Sequence, residues 1–221
     1  MDHHIDRHYD EALNSLKQQI LLMGSKVEVM VADCMRALAE KDKTLAEKIV
    51  ESDRAVNALE VAIDEQCIEL LARYQPAASD LRFITRGLKI VTDLERIGDL
   101  AVNFAQRVKE LADHDGCPAD ISKMAAIVQK MLKDSFNAFV EGDAEKADGV
   151  FKYDDEVDEM TEKFVNELIE RVSKEPGLVK TAFPTTSIIR YLERIADHAT
   201  NIAELAIFMI RGRDVRHGRP H

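Results

Sequence analysis

The 221-residue chain has no tryptophan, only 5% aromatic residues, nine glycines and five prolines. So little glycine and proline excludes a fold built on many tight turns, and leaves long helices as the economical reading. The three cysteines, Cys34, Cys67 and Cys117, are odd in number and share no ligand spacing. They read as reduced thiols rather than a disulfide framework or a zinc site. No apolar run approaches the roughly 18 residues a membrane span needs, and the polar opening "MDHHIDRHYDEAL" does not read as a signal peptide. The expected compartment is the cytoplasm, with no direct membrane insertion. Basic charge is also short: the net charge is -11. That argues against a nucleic-acid surface, which needs a basic stripe to displace counterions. There is no phosphate-binding glycine loop and no nucleophile signature, so nothing points to an enzyme.

What is present is helical periodicity. Segments at about 5–40, 42–74 and 79–112 are separated by "AEKDKT", where Asp42 is an N-cap candidate, and by the proline-bearing "YQPAASD". The cluster "DHDGCPAD", residues 113–120, marks a boundary. Segments at about 119–141, 143–174 and 184–211 then repeat the plan. Short links between long helices force antiparallel neighbours. The expected architecture is all-α: two tandem antiparallel three-helix bundles, residues 1–115 and 116–221, related by an internal repeat.

The repeat is plain in two stretches, "DLERIGDLAVNFAQ" (93–106) and "YLERIADHATNIAE" (191–204), with eight of fourteen positions identical at an offset of 98. Ile90, Leu94, Ile97, Ala101, Phe104 and Val108 form one apolar stripe, matched by Ile188, Leu192, Ile195, Ala199, Ile202 and Ala206. Opposite the first stripe stand Glu95, Asp99 and Asn103; opposite the second, Glu193, Asp197, Asn201 and Glu204. The preceding helices add Asp53, Asn57, Glu60 and Asp64, and in the second copy Asp154, Asp158 and Thr161.

A wet helix face is ordinarily polar without further purpose. Arg96 can reach Asp99, and Arg190 can reach Glu193, as local counter-charges. Yet like charges at i,i+4 cost a few tenths of a kcal/mol per pair, and a random wet face has no reason to recur in register. Carboxylate and amide oxygens suit hard cations. His198 projects away from its acid row and reads as structural. His3, His4 and His8, and the basic tail "RGRDVRHGRPH", read as solvated ends.

The stretches "DLRFITRGLKIVTDLERIGDLAVNFAQ", "IIRYLERIADHATNIAELAIFMIRGRDVRH", "DRAVNALEVAID" and "HYDEALNSLKQQILLMGSKVE" strongly resemble the repeats of the PhoU family, the phosphate-transport accessory regulators. The resemblance covers essentially the whole chain. It implies two three-helix bundles and a homodimer. It also implies bound metal ions (iron, zinc, manganese or magnesium) at Glu95 and Asp99 and at Glu193 and Asp197. Asn103, Asn201, Asp53 and Asp154 stand as second-rank ligands. Thr161, where the first copy has Glu60, leaves the second site one ligand short. The implied role is negative regulation of phosphate uptake and of the phosphate-starvation response. The implied partners are the ATPase subunit of the phosphate ABC transporter and a phosphate-sensing histidine kinase. The alternative is a metal-free helical adaptor whose acidic faces dock a basic partner; a carboxylate-metal hydrolase is the weakest reading.

Overall fold

The computed structural model describes residues 2–76, 78–114 and 117–211, with side chains omitted at 2–6 and 78. Six long helices follow one another: α1 (Asp2–Glu40), α2 (Lys43–Tyr74), α3 (Ala78–Ala112), α4 (Ser122–Glu141), α5 (Ala144–Lys174) and α6 (Val179–Arg211). A 3₁₀ turn, Pro176–Leu178, links the last two. No strand occurs among the described residues. At ~1.5 Å per residue, the 39-residue α1 runs about 58 Å.

The two halves turn their first corner alike. Asp42 caps α2, its Oδ1 accepting from the Leu45 amide at 3.0 Å, and Asp143 caps α5 in the same way from Glu145 at 3.0 Å. Immediately before each cap the backbone is left-handed, at Lys41 (φ 52°) and at Gly142 (φ 70°). The next amide bonds back five residues, Asp42 to Ala37 O at 3.0 Å and Asp143 to Ala138 O at 3.1 Å. This is the Schellman closure that satisfies a last-turn carbonyl. Glycine takes that conformation freely; Lys41 takes it against a steric cost.

Two helix starts differ from expectation. α4 begins at Ser122, not 119: Pro118 and Ala119 remain in the link, and Asp120 Oδ1 accepts from the Ser122 amide at 3.1 Å. α6 begins at Val179, so Pro184 lies inside it rather than before it. Proline removes one backbone donor there. Hydroxyls crowd that turn instead, with Thr181, Thr185, Thr186 and Ser187 each donating to a carbonyl three or four residues back.

Within each half the three helices pack on one another, α1 with α2 and α3, and α4 with α5 and α6. The two bundles join chiefly along α3 and α6, with a lighter α1–α4 contact. α3 and α6 run antiparallel: Arg86 lies over the Phe208 ring at 3.9 Å, and Asp93 meets His198 at 2.8 Å. Every residue of both apolar stripes is buried, and the buried side chains of both halves form one continuous cluster. At the α1–α4 contact Gly24 admits Phe136, whose ring occupies the space a Cβ would need, 2.1 Å from Cζ.

Candidate metal centres

Because α3 buries its stripe against the core, Glu95 and Asp99 turn outward beside α2. The α2 row meets them there. Asp99 bears electrostatically on Asp53, Glu60 and Glu95, and Glu60 and Asp53 also bear on Glu95. The carboxyls of Asp53, Glu60 and Glu95 are all held above their ordinary range, first by desolvation. Negative neighbours add to this, while the Asn57 amide, donating to Asp53 Oδ2 at 2.9 Å, opposes it at Asp53. Arg96 sits 3.4 Å from both Glu95 and Asp99. Glu95 is the more enclosed of the two, its side chain 15% exposed against 44% for Asp99.

One oxygen is orphaned. Asp53 Oδ1 is buried and accepts no hydrogen bond. It lies against Gly98, where an added Cβ would stand 3.3 Å from it. The absence of a side chain at 98 is therefore what lets the carboxylate in so far. The corresponding position on α6 is Ala196.

The second centre repeats the design with different members. Asp197 and Asp158 both carry raised carboxyl pKa values, again first by desolvation. Glu193 acts on both, and Asp158 acts on Asp197. Asp197 keeps an exposed edge, but its carboxyl is crowded by protein on the other side. Arg190 holds Glu193 at 2.9 Å. Asp158, Thr161, Glu162, Asn166, Arg190 and Glu193 line a cleft of about 270 Å³ between α5 and α6. Thr161 Oγ1 is buried there without a partner.

The expected residues thus lie on two outward faces, α2–α3 and α5–α6. Glu95, Asp99 and Asp53 are brought together, as are Glu193 and Asp197. Asp154 is half-buried one turn before Asp158, and the charge felt at Asp197 comes from Asp158. Asn103 is half-buried one turn beyond Asp99. Asn201 leans toward α3, its amide donating to Asp93 Oδ1 at 3.2 Å. Glu60 and Asp158 stand on the acid rows outside the ranked ligands; the signal for them is helical spacing, seven residues after Asp53 and four after Asp154.

The same Asp93 oxygen meets His198 Nδ1 at 2.8 Å, which ties the bundles together and gives His198 its structural role. An ionised carboxylate only accepts, so Nδ1 carries the proton. His8 lies 3.7 Å from Glu11 on an exposed face. The side chains of His3 and His4 and the tail from 212 lie outside the described residues.

The donors fit a hard cation in kind: oxygen ligands only, mutually repelling, with one buried oxygen unsatisfied. They are spread along the helices as they stand. Among the described residues no three acidic, histidine or cysteine side chains gather closely enough to hold one ion. No described helix is long and apolar enough to cross a membrane.

Comparison with known proteins places this architecture. A family model described as "PhoU domain" matches twice, at residues 20–108 and 121–206. The chain belongs to the PhoU family. A phosphate-specific transport system accessory protein PhoU homolog of Pseudomonas aeruginosa is 40% identical, over 98% of this chain and 91% of its own. The accessory protein PhoU of Escherichia coli K12 is 31% identical over 98% and 91%. The crystal structure of PhoU from P. aeruginosa superposes with a TM-score of 0.90 at 38% identity, covering 93% of this chain and 100% of that one. The regulatory protein PhoU of Streptococcus pneumoniae gives 0.85 at 32% identity, with 94% and 99% covered. The two matched PhoU domains correspond to the two helical bundles.

Proposed function

We propose that this chain is a phosphate-transport accessory protein that restrains phosphate uptake and the phosphate-starvation response. It does so by contact with the transporter's ATPase subunit and a phosphate-sensing histidine kinase, without catalysis. It works in the cytoplasm, as a homodimer, and its acid rows hold metal ions. Its membership of the PhoU family, and its relatives' description as phosphate transport accessory proteins, support the regulatory part.

The observation that carries the metal reading is the pair of desolvated acid rows, in matching register on two bundles. Glu95 and Asp99, backed by Asp53, Glu60 and Asn103, are the first ligand set. Glu193 and Asp197, with Asp158, Asp154 and Asn201 near, are the second. A cation supplies the positive charge these carboxylates lack, and so ties α2 to α3 and α5 to α6. Small side-chain rotations must bring the donors together.

The test is elemental analysis of protein purified without a histidine tag. The double variant Asp99→Ala, Asp197→Ala should lose bound metal and keep its helicity; unchanged metal content refutes the assignment. Deleting the gene should derepress phosphate-starvation genes in phosphate-rich medium. Repression that persists in the deletion strain counts against the regulatory reading. The spread of the donors favours a second reading, in which the acid faces dock a basic partner without metal. Partner binding that survives exhaustive chelation selects it.

A further inference from the structure

The repeat that makes the acid rows alike does not extend to the surface between the first two helices of each half. Between α1 and α2 runs an open groove of about 510 Å³. Val29, 56% exposed, stands on its wall above Met30, Leu45 and Ile49. Lys26, Arg36 and Lys48 edge it. Asp33 is its one acid and is taken by Arg36 at 2.9 Å. Among the described residues neither Lys26 nor Lys48 has an acidic partner. On a chain of net charge -11 this is a cationic groove with an apolar floor.

The second half shows how such a groove is closed. The domain matches begin at 20 and 121, an offset of 101. At that offset buried residues agree: Met23 with Met124, Val27 with Val128, Met30 with Met131. Ser52 then corresponds to Tyr153, and Ala55 to Glu156. Lys130 lies over the Tyr153 ring at 5.1 Å, and Lys123 bridges Glu156 at 2.6 Å. The second groove is filled by the chain's own side chains and its cations are spent. The first has small residues at both positions, free lysines, and at the sites of Lys123 and Lys130 the exposed Leu22 and Val29.

We infer that the α1–α2 groove docks an acidic amphipathic helix of a partner protein, its apolar side chains on the exposed Val29 and the half-buried Leu45 and its carboxylates on Lys26 and Lys48. Helix-in-groove recognition combines an apolar floor with charged edges in this way, and the charges select the partner. The surface rests on reading the chain as a docking protein and needs no metal.

Two synthetic helical peptides test it. Both carry one leucine stripe at i, i+3, i+4 and i+7; one is flanked by glutamates, the other by lysines. At low salt the wild-type protein should bind the glutamate peptide at least ~10-fold more tightly, equivalent to about 1.4 kcal/mol. Lys26→Glu with Lys48→Glu should reverse that order. Ser52→Tyr with Ala55→Glu, which puts the larger side chains of the second half into the first groove, should abolish binding of both while the melting temperature holds. Equal binding of the two peptides, no binding of the glutamate peptide at about 1 mM, or full binding by the Ser52→Tyr, Ala55→Glu variant overturns the inference. So does a change of oligomeric state in the lysine variant by sedimentation, which would make the groove a contact between copies of this chain. Peptide binding reads the groove alone; intact repression in a gene-deletion strain sinks the regulatory reading and leaves this measurement standing.

Discussion

Removing one charge from the first acid row should stabilise the metal-free protein. Asp99 is the residue to change, since it acts on Asp53, Glu60 and Glu95 together. Asparagine keeps its shape and removes its charge. A like-charge pair on a helix surface costs about 0.2–0.5 kcal/mol, so three such pairs amount to about 1 kcal/mol. Asp99 is 44% exposed, which screens these terms, and its contact with Arg96, exposed at both ends, offsets about 0.3 kcal/mol. The net gain is about 0.5 kcal/mol, or about 1–2 °C in melting temperature for a chain of this size. The assay is thermal melting followed by circular dichroism, after metal removal by chelator and at low ionic strength. Added salt should shrink the difference, since screening weakens exposed charge pairs. Titrating Mn²⁺ or Mg²⁺ should invert the ranking, because a ligand bound to the folded state raises its stability by mass action and Asp99→Asn weakens that binding. An Asp99→Asn protein less stable than wild type in chelator, at both salt concentrations, would falsify the claim that the row is electrostatically frustrated without a cation.

Other perturbations read other parts of the molecule. Gly142→Ala should lower stability by about 1 kcal/mol, since its φ is +70°; Gly149→Ala, inside α5 with open space at the Cβ position, should raise it by about 0.5–1 kcal/mol. Paired denaturant melts check both signs. Gly24→Ala forces the Phe136 ring aside and should cost about 1–2 kcal/mol, with Phe136→Leu in the same chain recovering most of it in thermal melts. Tyr9 donates to Asp80 Oδ2 at 3.0 Å, and burial with that bond pushes its phenol up to about 12. The folded state holds this proton more tightly than the unfolded chain, so the stability it contributes is present below pH about 10 and lost as pH rises toward about 12. Tyr9→Phe should flatten that alkaline slope in melts across the window.

The helices and the acid rows were legible because both are periodic. Ile90 to Val108 and Ile188 to Ala206 announced the buried faces, and every one of those residues is buried. Asp42 announced its cap. The start of α6 was not legible: Pro184 reads as a break, and only the surrounding hydroxyl-to-carbonyl bonds reveal a helix that continues through it. Nor was the weight of Asp158 over Asp154, since a row of acids four apart does not say which turn faces Glu193. The Asp93–His198–Asn201 knot joins residues more than a hundred positions apart, and no local pattern encodes it.

Duplication gives each surface residue a control that a single-copy chain lacks. Core positions such as Met23 and Met124 agree because packed volume restricts what can stand there. Outward positions carry no such restriction, so agreement at Glu95 with Glu193 and at Asp99 with Asp197 asks for a cause outside the core, and the proposed cation in each centre would supply one. Disagreement is equally informative where it alters shape. Gly98 admits the orphaned Asp53 oxygen, whereas Ala196 carries a methyl at the matching place, so the two centres should differ in affinity. Ala196→Gly with Thr161→Glu gives the second centre the features of the first. If the rows are metal sites, that variant should bind its second equivalent of Mn²⁺ more tightly by calorimetry; an unchanged second equivalent would mean that neither the glycine nor the added carboxylate governs ligand supply.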